Sequence, residues 1–251
     1  QTTDSEVANK VAEYFYNSSE DKKFINLLKI LAEFKPDNCI IFANTKVDVK
    51  QVSRFLKENG VESAALHGDL EQYQRNDVLV KFANNSIAVL VATDVAARGL
   101  DIKELAMVIN FALPFEQNIY THRIGRTARA GESGIAATLY WGKQAFKAKK
   151  MQNSTRFFAD ADKLPSNQSI SLKGKNGTLV IEAGKKNKLR AGDILGALTG
   201  DIGLNGKTIG KINIYDKQSY VAIERGLINK AIKGLKNKGV KGKKFAVWIM
   251  S

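Results

Sequence analysis

Two arginines at Arg126 and Arg129 stand three apart in the run HRIGRTARAG, Arg123 and His122 lie just before them, and carboxylates and hydroxyls recur upstream. Arginines at that spacing suit an anion, because a guanidinium neutralises charge on a transferring phosphoryl group, an effect worth about 10³–10⁵ in rate. On a continuous helix such a pair shares one face, which is the geometry this spacing predicts. Asp101, at the end of VATDVAARGLD, is a carboxylate that can accept hydrogen bonds from a ligand or cap a helix or turn. Thr45, Gly68 and Thr93 add hydroxyls and a side-chain-free backbone position to this set. Thr45 is equally suited to capping the helix that follows it.

These residues need a scaffold that brings them together. Short apolar runs at Cys39–Ala43, Ala64–Leu66, Ile87–Ala92, Met107–Phe111 and Ile135–Tyr140 read as buried strands. Amphipathic stretches at Asp21–Phe34, Lys46–Asn59, Leu70–Ala83 and Gln117–Ala130 read as the helices between them. That alternation predicts an α/β domain with a doubly wound parallel sheet. Ligands of such sheets sit beyond the carboxyl ends of the strands. Asn44-Thr45, His67-Gly68-Asp69, Thr93-Asp94 and the arginine run all follow predicted strands, so they converge on one edge.

After Tyr140 the pattern changes. Lys143–Phe158 reads as a basic helix and residues 151–173 as a linker. From Gly174 the order is βαββαβ: strands Thr178–Glu182, Ile209–Tyr215, Ser219–Glu224 and Lys244–Met250, with helices Arg190–Leu198 and Leu227–Lys238. The predicted divisions are therefore 1–150, 151–173 and 174–251.

Charge separates the two parts. Residues 1–150 hold 20 basic and 18 acidic side chains, and residues 151–251 hold 19 and 7. A block this basic attracts a polyanion. Lys185, Lys186, Lys188 and Arg190 form one cluster; Lys241, Lys243 and Lys244 form another. Both read as phosphate contacts, with a solvated surface as the alternative. Tyr215, Tyr220 and Trp248 are candidates for a partial base-stacking platform, the competing role being edge packing. Single Cys39, within an apolar run, belongs to a core, and the two histidines lie too far apart for a metal site. No apolar run approaches a membrane span.

The motifs carry a resemblance. IIFANT, Gln72-x-x-Arg75, VATDVAARGLD and HRIGRTARAG resemble the C-terminal RecA-like domain of DEAD-box RNA helicases over roughly residues 20–142, with Ala128 where that family usually has glycine. The stretch from Gly184 to Ile212 is similar to the RNA-binding domain of the DbpA type, an RNA-recognition-motif-like fold. The resemblance implies an ATP-dependent RNA helicase of ribosome biogenesis, a hydrolase acting on 23S ribosomal RNA in large ribosomal subunit precursors; the cytoplasmic location is the expectation from the lone cysteine. In it Arg126 and Arg129 are the catalytic arginine fingers, and Gly99 and Asp101 join them around ATP. His122 and Arg123 couple the sites, while Thr45, Gly68, Arg75 and Thr93 hold RNA. The last domain anchors a specific RNA hairpin.

Two things are missing from this sequence. No GxxxxGK[ST] loop cradles phosphates and no acidic tetrad holds Mg²⁺. The expectation is a fragment whose ATP–Mg²⁺ site needs an N-terminal RecA-like domain, inactive alone. The competing readings are a non-catalytic RNA-binding assembly scaffold and, more remotely, a helicase acting on DNA.

Overall fold

The computed structural model describes residues 11–100, 102, 105–128, 133–165 and 170–250. The chain divides into two compact units: residues up to Glu71 together with Ala88–Lys173, and Gln72–Ile87 together with Gly174 onward.

The first unit is built on a parallel sheet of seven strands in the order β3-β4-β2-β5-β6-β1-β7. These are β1 (Val11–Asn17), β2 (Cys39–Phe42), β3 (Ser63–Leu66), β4 (Val89–Ala92), β5 (Met107–Asn110), β6 (Gly134–Tyr140) and β7 (Arg156–Asp160). Strands β2, β4 and β5 are buried at every position, which is why they read as continuous apolar runs. Helix α1 (Lys23–Phe34) buries Leu27, Ile30 and Leu31; α2 (Lys46–Glu58) buries Val49, Val52 and Leu56 at helical spacing. A short α4 (Asp94–Ala97), α5 (Gln117–Ile124) and α6 (Gln144–Lys150) complete this unit's helices among the described residues.

Three expectations need correction. The segment 151–173 is not a plain linker: it contains β7, which pairs in parallel with β1 from Glu13↔Arg156 to Asn17↔Asp160. The predicted helix Lys143–Phe158 accordingly ends at Lys150. Strand β1 lies upstream of the first strand expected from the sequence and runs between β6 and β7. A buried cluster fixes both strands. Tyr120 Oη donates to Glu13 Oε2 at 2.5 Å, Arg156 Nε donates to the same oxygen at 2.9 Å, and Phe15 stacks on Phe158.

The second unit contains an antiparallel sheet in the order β11-β8-β10-β9, formed by β8 (Asn176–Ile181), β9 (Ile209–Ile214), β10 (Ser219–Glu224) and β11 (Val247–Ile249). Helices α7 (Ala191–Gly196, extended by a π turn) and α8 (Ile228–Lys238) follow β8 and β10. That is the expected βαββαβ unit, with Leu179, Ile181, Val221 and Ile223 facing Ile194, Leu198, Ala231 and Leu235 in its core. Helix α3 (Gln72–Ala83), expected as a cover for the parallel sheet, is grouped with this unit. Just beyond it, Asn84 Nδ2 donates to Thr178 Oγ1 at 3.2 Å, and the Ser86 and Thr178 hydroxyls are 2.7 Å apart.

Candidate nucleotide and RNA interfaces

Because β2, β4 and β5 run in parallel, Asn44, Asp94 and Asn110 emerge at one edge, and Arg123 of α5 joins them. Its Nε and Nη2 hold the two Asp94 carboxylate oxygens at 2.7 and 2.6 Å. Nη1 donates to Asn110 Oδ1 and Nη2 to Asn44 Oδ1, each at 3.0 Å. The guanidinium lies 5.1 Å from the Phe42 ring centroid. Only 2% exposed, Arg123 is a buried brace that directs four of its five fork donors to these acceptors. A buried guanidinium is stable only with such a set of acceptors, and the fork matches a carboxylate. His122, next in the chain, is exposed, so the two residues expected to act together differ in environment.

Beyond the brace the backbone departs from expectation. Helix α5 stops at Ile124 rather than continuing to 130, so the predicted single helical face for Arg126 and Arg129 does not form on it. Gly125 and Arg126 form a turn, and Thr127 bridges to Leu105. Arg126 is half-buried and donates from Nη1 to Leu100 O at 3.0 Å, one of the five donors of its fork. Ala128 has φ +55°, the left-handed region, which is the physical reason a glycine suits this place. Gly99, φ +75°, is exposed at the same loop. Asp101 and Arg129 lie outside the described residues.

Both predicted threonine contacts are helix caps. Thr45 Oγ1 accepts from Asp48 N at 3.1 Å and donates to Asp48 Oδ2 at 2.6 Å, so its proton is committed. Thr93 Oγ1 accepts from Ala96 N at 3.3 Å, which leaves its own O–H to donate. Gly68 is exposed, and a Cβ there would meet nothing within 4 Å. Beside it Asp69 accepts from Lys46 and Lys50, each at 2.9 Å, and these hydrogen bonds hold its carboxyl down at about 2. His67 is 6% exposed; burial, then the nearby ammonium of Lys50, keeps its imidazole below the ordinary value. Arg75 lies half-buried on α3 in the second unit. Among the described residues no group of His, Cys, Asp and Glu could hold a metal ion.

In the second unit the two basic clusters meet. Arg190 N donates to Asp193 Oδ2 at 2.9 Å, and Lys241 Nζ lies 3.4 Å from the same oxygen. Lys185, Lys186, Lys188, Arg190, Lys241, Lys243 and Lys244 are all exposed. The sheet face is a different matter. Trp248, Val180 and Tyr220 form one row across β11, β8 and β10. Val180 is 2% exposed, Ala222 1% and Thr178 1%, so the centre of that face is closed. Tyr220 is half-buried, whereas Trp248 keeps 40% exposure. The stacking platform expected from Tyr220 and Trp248 is therefore not presented as a continuous surface. Asn110, Lys217 and Gln218 do not stand out in the sequence; nothing in their types distinguishes them until the fold places them.

The matches to known proteins fall in two blocks, the first of which runs through α3. The helicase conserved C-terminal domain model matches residues 22–131, and the DbpA RNA binding domain model matches residues 178–249. The chain is 45% identical over 234 residues to the ATP-dependent RNA helicase DbpA of Escherichia coli K12, covering 93% of this chain and 51% of that protein. It is 34% identical over 251 residues to DbpA of Bacillus subtilis 168, covering 91% and 52%. The chain thus spans about half the length of these curated relatives. A solved structure of the E. coli DEAD-box protein SrmB, bound to regulator of ribonuclease activity A, superposes with a TM-score of 0.56 at 30% identity, covering 64% of this chain and 98% of that one. The chain belongs to the DEAD-box RNA helicase family. Within that family it is of the DbpA type, a RecA-like domain followed by the DbpA RNA-binding domain.

Proposed function

We propose that this chain supplies the second motor half and the RNA anchor of an ATP-dependent RNA helicase that remodels 23S ribosomal RNA during assembly of the large subunit. The observation that carries the motor reading is the Arg123 brace. It ties together residues at or just beyond the carboxyl ends of three strands, Asn44, Asp94 and Asn110. Such an edge is the support that Arg126, with Arg129 beyond the described segment, needs to meet a γ-phosphate. Preorganised charge is most of what phosphoryl transfer asks of a protein. Arg123 then acts as the coupling residue, since RNA-side loops at Thr45 and Thr93 flank its partners. Arg126 suits the triphosphate, while ATP-bound Mg²⁺ draws its ligands from a phosphate-loop domain. The exposed cations around Asp193 support hairpin anchoring by the second unit, and the match to the DbpA RNA binding domain supports RNA as the partner.

The test measures RNA-stimulated phosphate release. The chain alone is expected to release none, and the same chain fused behind a phosphate-loop RecA-like domain is expected to turn over. In that fused protein Arg126→Ala or Arg129→Ala should lower turnover by about 10³-fold or more, with hairpin binding unchanged. Turnover by the chain alone, or equal loss of turnover and binding in the arginine variants, overturns the assignment. Retained turnover in both variants removes the arginines from the reaction, and absence of turnover in the unmutated fused protein favours the RNA-clamp reading.

A further inference from the structure

An open cleft of about 500 Å³ lies beside the first basic cluster, walled by Lys185, Lys186, Tyr215, Lys217, Gln218 and Tyr220. Its floor is rigid. Lys185 N donates to Tyr215 O at 2.8 Å and Lys186 N to Asp216 O at 3.0 Å, lacing the loop after β8 to the turn between β9 and β10. The approach is so close that a Cβ on Gly184 would stand 2.0 Å from Tyr215 O. Tyr215 is 51% exposed and meets Tyr220 edge-to-face, with centroids 5.5 Å apart and planes at 79°. A T-shaped contact covers at most one face of either ring, so Tyr215 keeps a face that Tyr220 does not cover. Tyr220 Oη donates to Gln218 Oε1 at 3.0 Å. Burial raises the Tyr220 pKa, so the phenol stays protonated as the donor. With its oxygen engaged, Gln218 presents its NH₂ as a donor. Asp216 adds an acceptor on the same wall.

We propose that this cleft takes one unpaired RNA base, stacked on Tyr215 and hydrogen-bonded at its edge by Gln218, with the flanking phosphates on Lys185, Lys186 and Lys217. The inference rests on the reading of this unit as the RNA anchor. It adds a base-reading site, with Tyr215 and Gln218 in it, to a surface otherwise made of phosphate contacts. Aromatic stacking with neighbouring cations is the usual physical basis for holding single strands.

The experiment titrates the whole chain with oligo(U), oligo(C) and oligo(A) RNAs of one length and with a fully paired RNA duplex of that length, over a range of salt. Tyr215→Ala should weaken single-strand binding about ten-fold or more, with the salt slope and the duplex affinity unchanged. Tyr215→Phe should retain binding, which separates loss of the ring from loss of fold. Gln218→Ala should narrow the differences among the three single strands. Lys185→Ala/Lys217→Ala should flatten the salt slope by about 0.7 for each phosphate no longer neutralised. If Tyr215→Ala binds all RNAs as the parent does while the lysine variant is weakened, phosphates alone are held and the base site is wrong. If no variant changes any affinity, the anchor reading fails as well.

Discussion

At the scale of single residues, the chemistry visible in the sequence is the arginine run, and the structure assigns its members different work. Arg123 is a structural brace, 2% exposed and bonded to Asp94, Asn110 and Asn44, whereas Arg126 is half-buried and donates to Leu100 O in the neighbouring loop. Spacing alone does not separate them, because both stand in the same motif and only burial distinguishes them. Asp94→Asn tests the brace. It leaves a guanidinium that is 2% exposed without its counter-charge. The expected loss is about 3 kcal/mol of stability, the lower end for a broken buried pair because Asp94 retains some solvent. The measurement is the urea midpoint followed by Trp141 fluorescence in a Trp248→Phe background. An unchanged midpoint means the brace contributes nothing to the fold. Ala128 makes the opposite prediction. At φ +55° an L side chain is strained, so Ala128→Gly should stabilise by about 0.5–1 kcal/mol even after glycine's extra chain entropy. A lowered midpoint would show that the buried methyl group outweighs the strain.

At the scale of elements, the buried inner strands are legible in the sequence because parallel strands covered on both faces are continuously apolar. The strands β1 and β7 are not. VAEYFYN mixes a carboxylate and an asparagine into its run, and RFFAD begins with an arginine. Their polar residues are satisfied only across the fold, by the Glu13–Tyr120–Arg156 cluster, which no local pattern announces. The end of α5 is hidden for a related reason: Gly125 and the left-handed Ala128 stop a helix that composition alone would continue. A variant beginning at Ser18 removes β1, the strand between β6 and β7. Its first unit should lose cooperative urea unfolding by Trp141 fluorescence, although the matched helicase region starts only at residue 22. A cooperative transition at the parent midpoint would make β1 dispensable. The end of β3 carries a pH dependence. His67 has a folded pKa below its unfolded value, so below about 6.5 the unfolded chain binds more protons. Stability is therefore fully present above that value and falls as pH drops toward the folded pKa. Comparing midpoints across this window, the parent should weaken on acidification and His67→Gln should weaken less. Equal slopes would assign the effect elsewhere.

At the scale of the whole molecule, the charge distribution is legible in the sequence, and its meaning is not. Net charge locates the polyanion surface in the last part of the chain but does not say whether its two clusters act apart or together. The fold answers through Asp193, which caps α7 at Arg190 and pairs with Lys241. The clusters at 185–190 and 241–244 then border one another, and a single RNA backbone running past Asp193 would meet both. Such a track predicts additivity. Replacing Lys185, Lys186 and Lys188 by alanine, or Lys241, Lys243 and Lys244, should each lower the log–log salt slope of hairpin binding by about 0.9 for every phosphate left without its cation. The combined variant should lose the sum, since each cluster holds its own phosphates. Asp193→Asn should strengthen binding at low salt by removing the one carboxylate shared by the two clusters, while the amide oxygen still accepts from Arg190 N. Two independent surfaces give a different pattern: one triple variant abolishes the slope, the other leaves it untouched, and Asp193→Asn changes nothing. A salt titration of the whole chain with a single hairpin separates these outcomes, because the slope reports neutralised phosphates regardless of which bases the RNA carries.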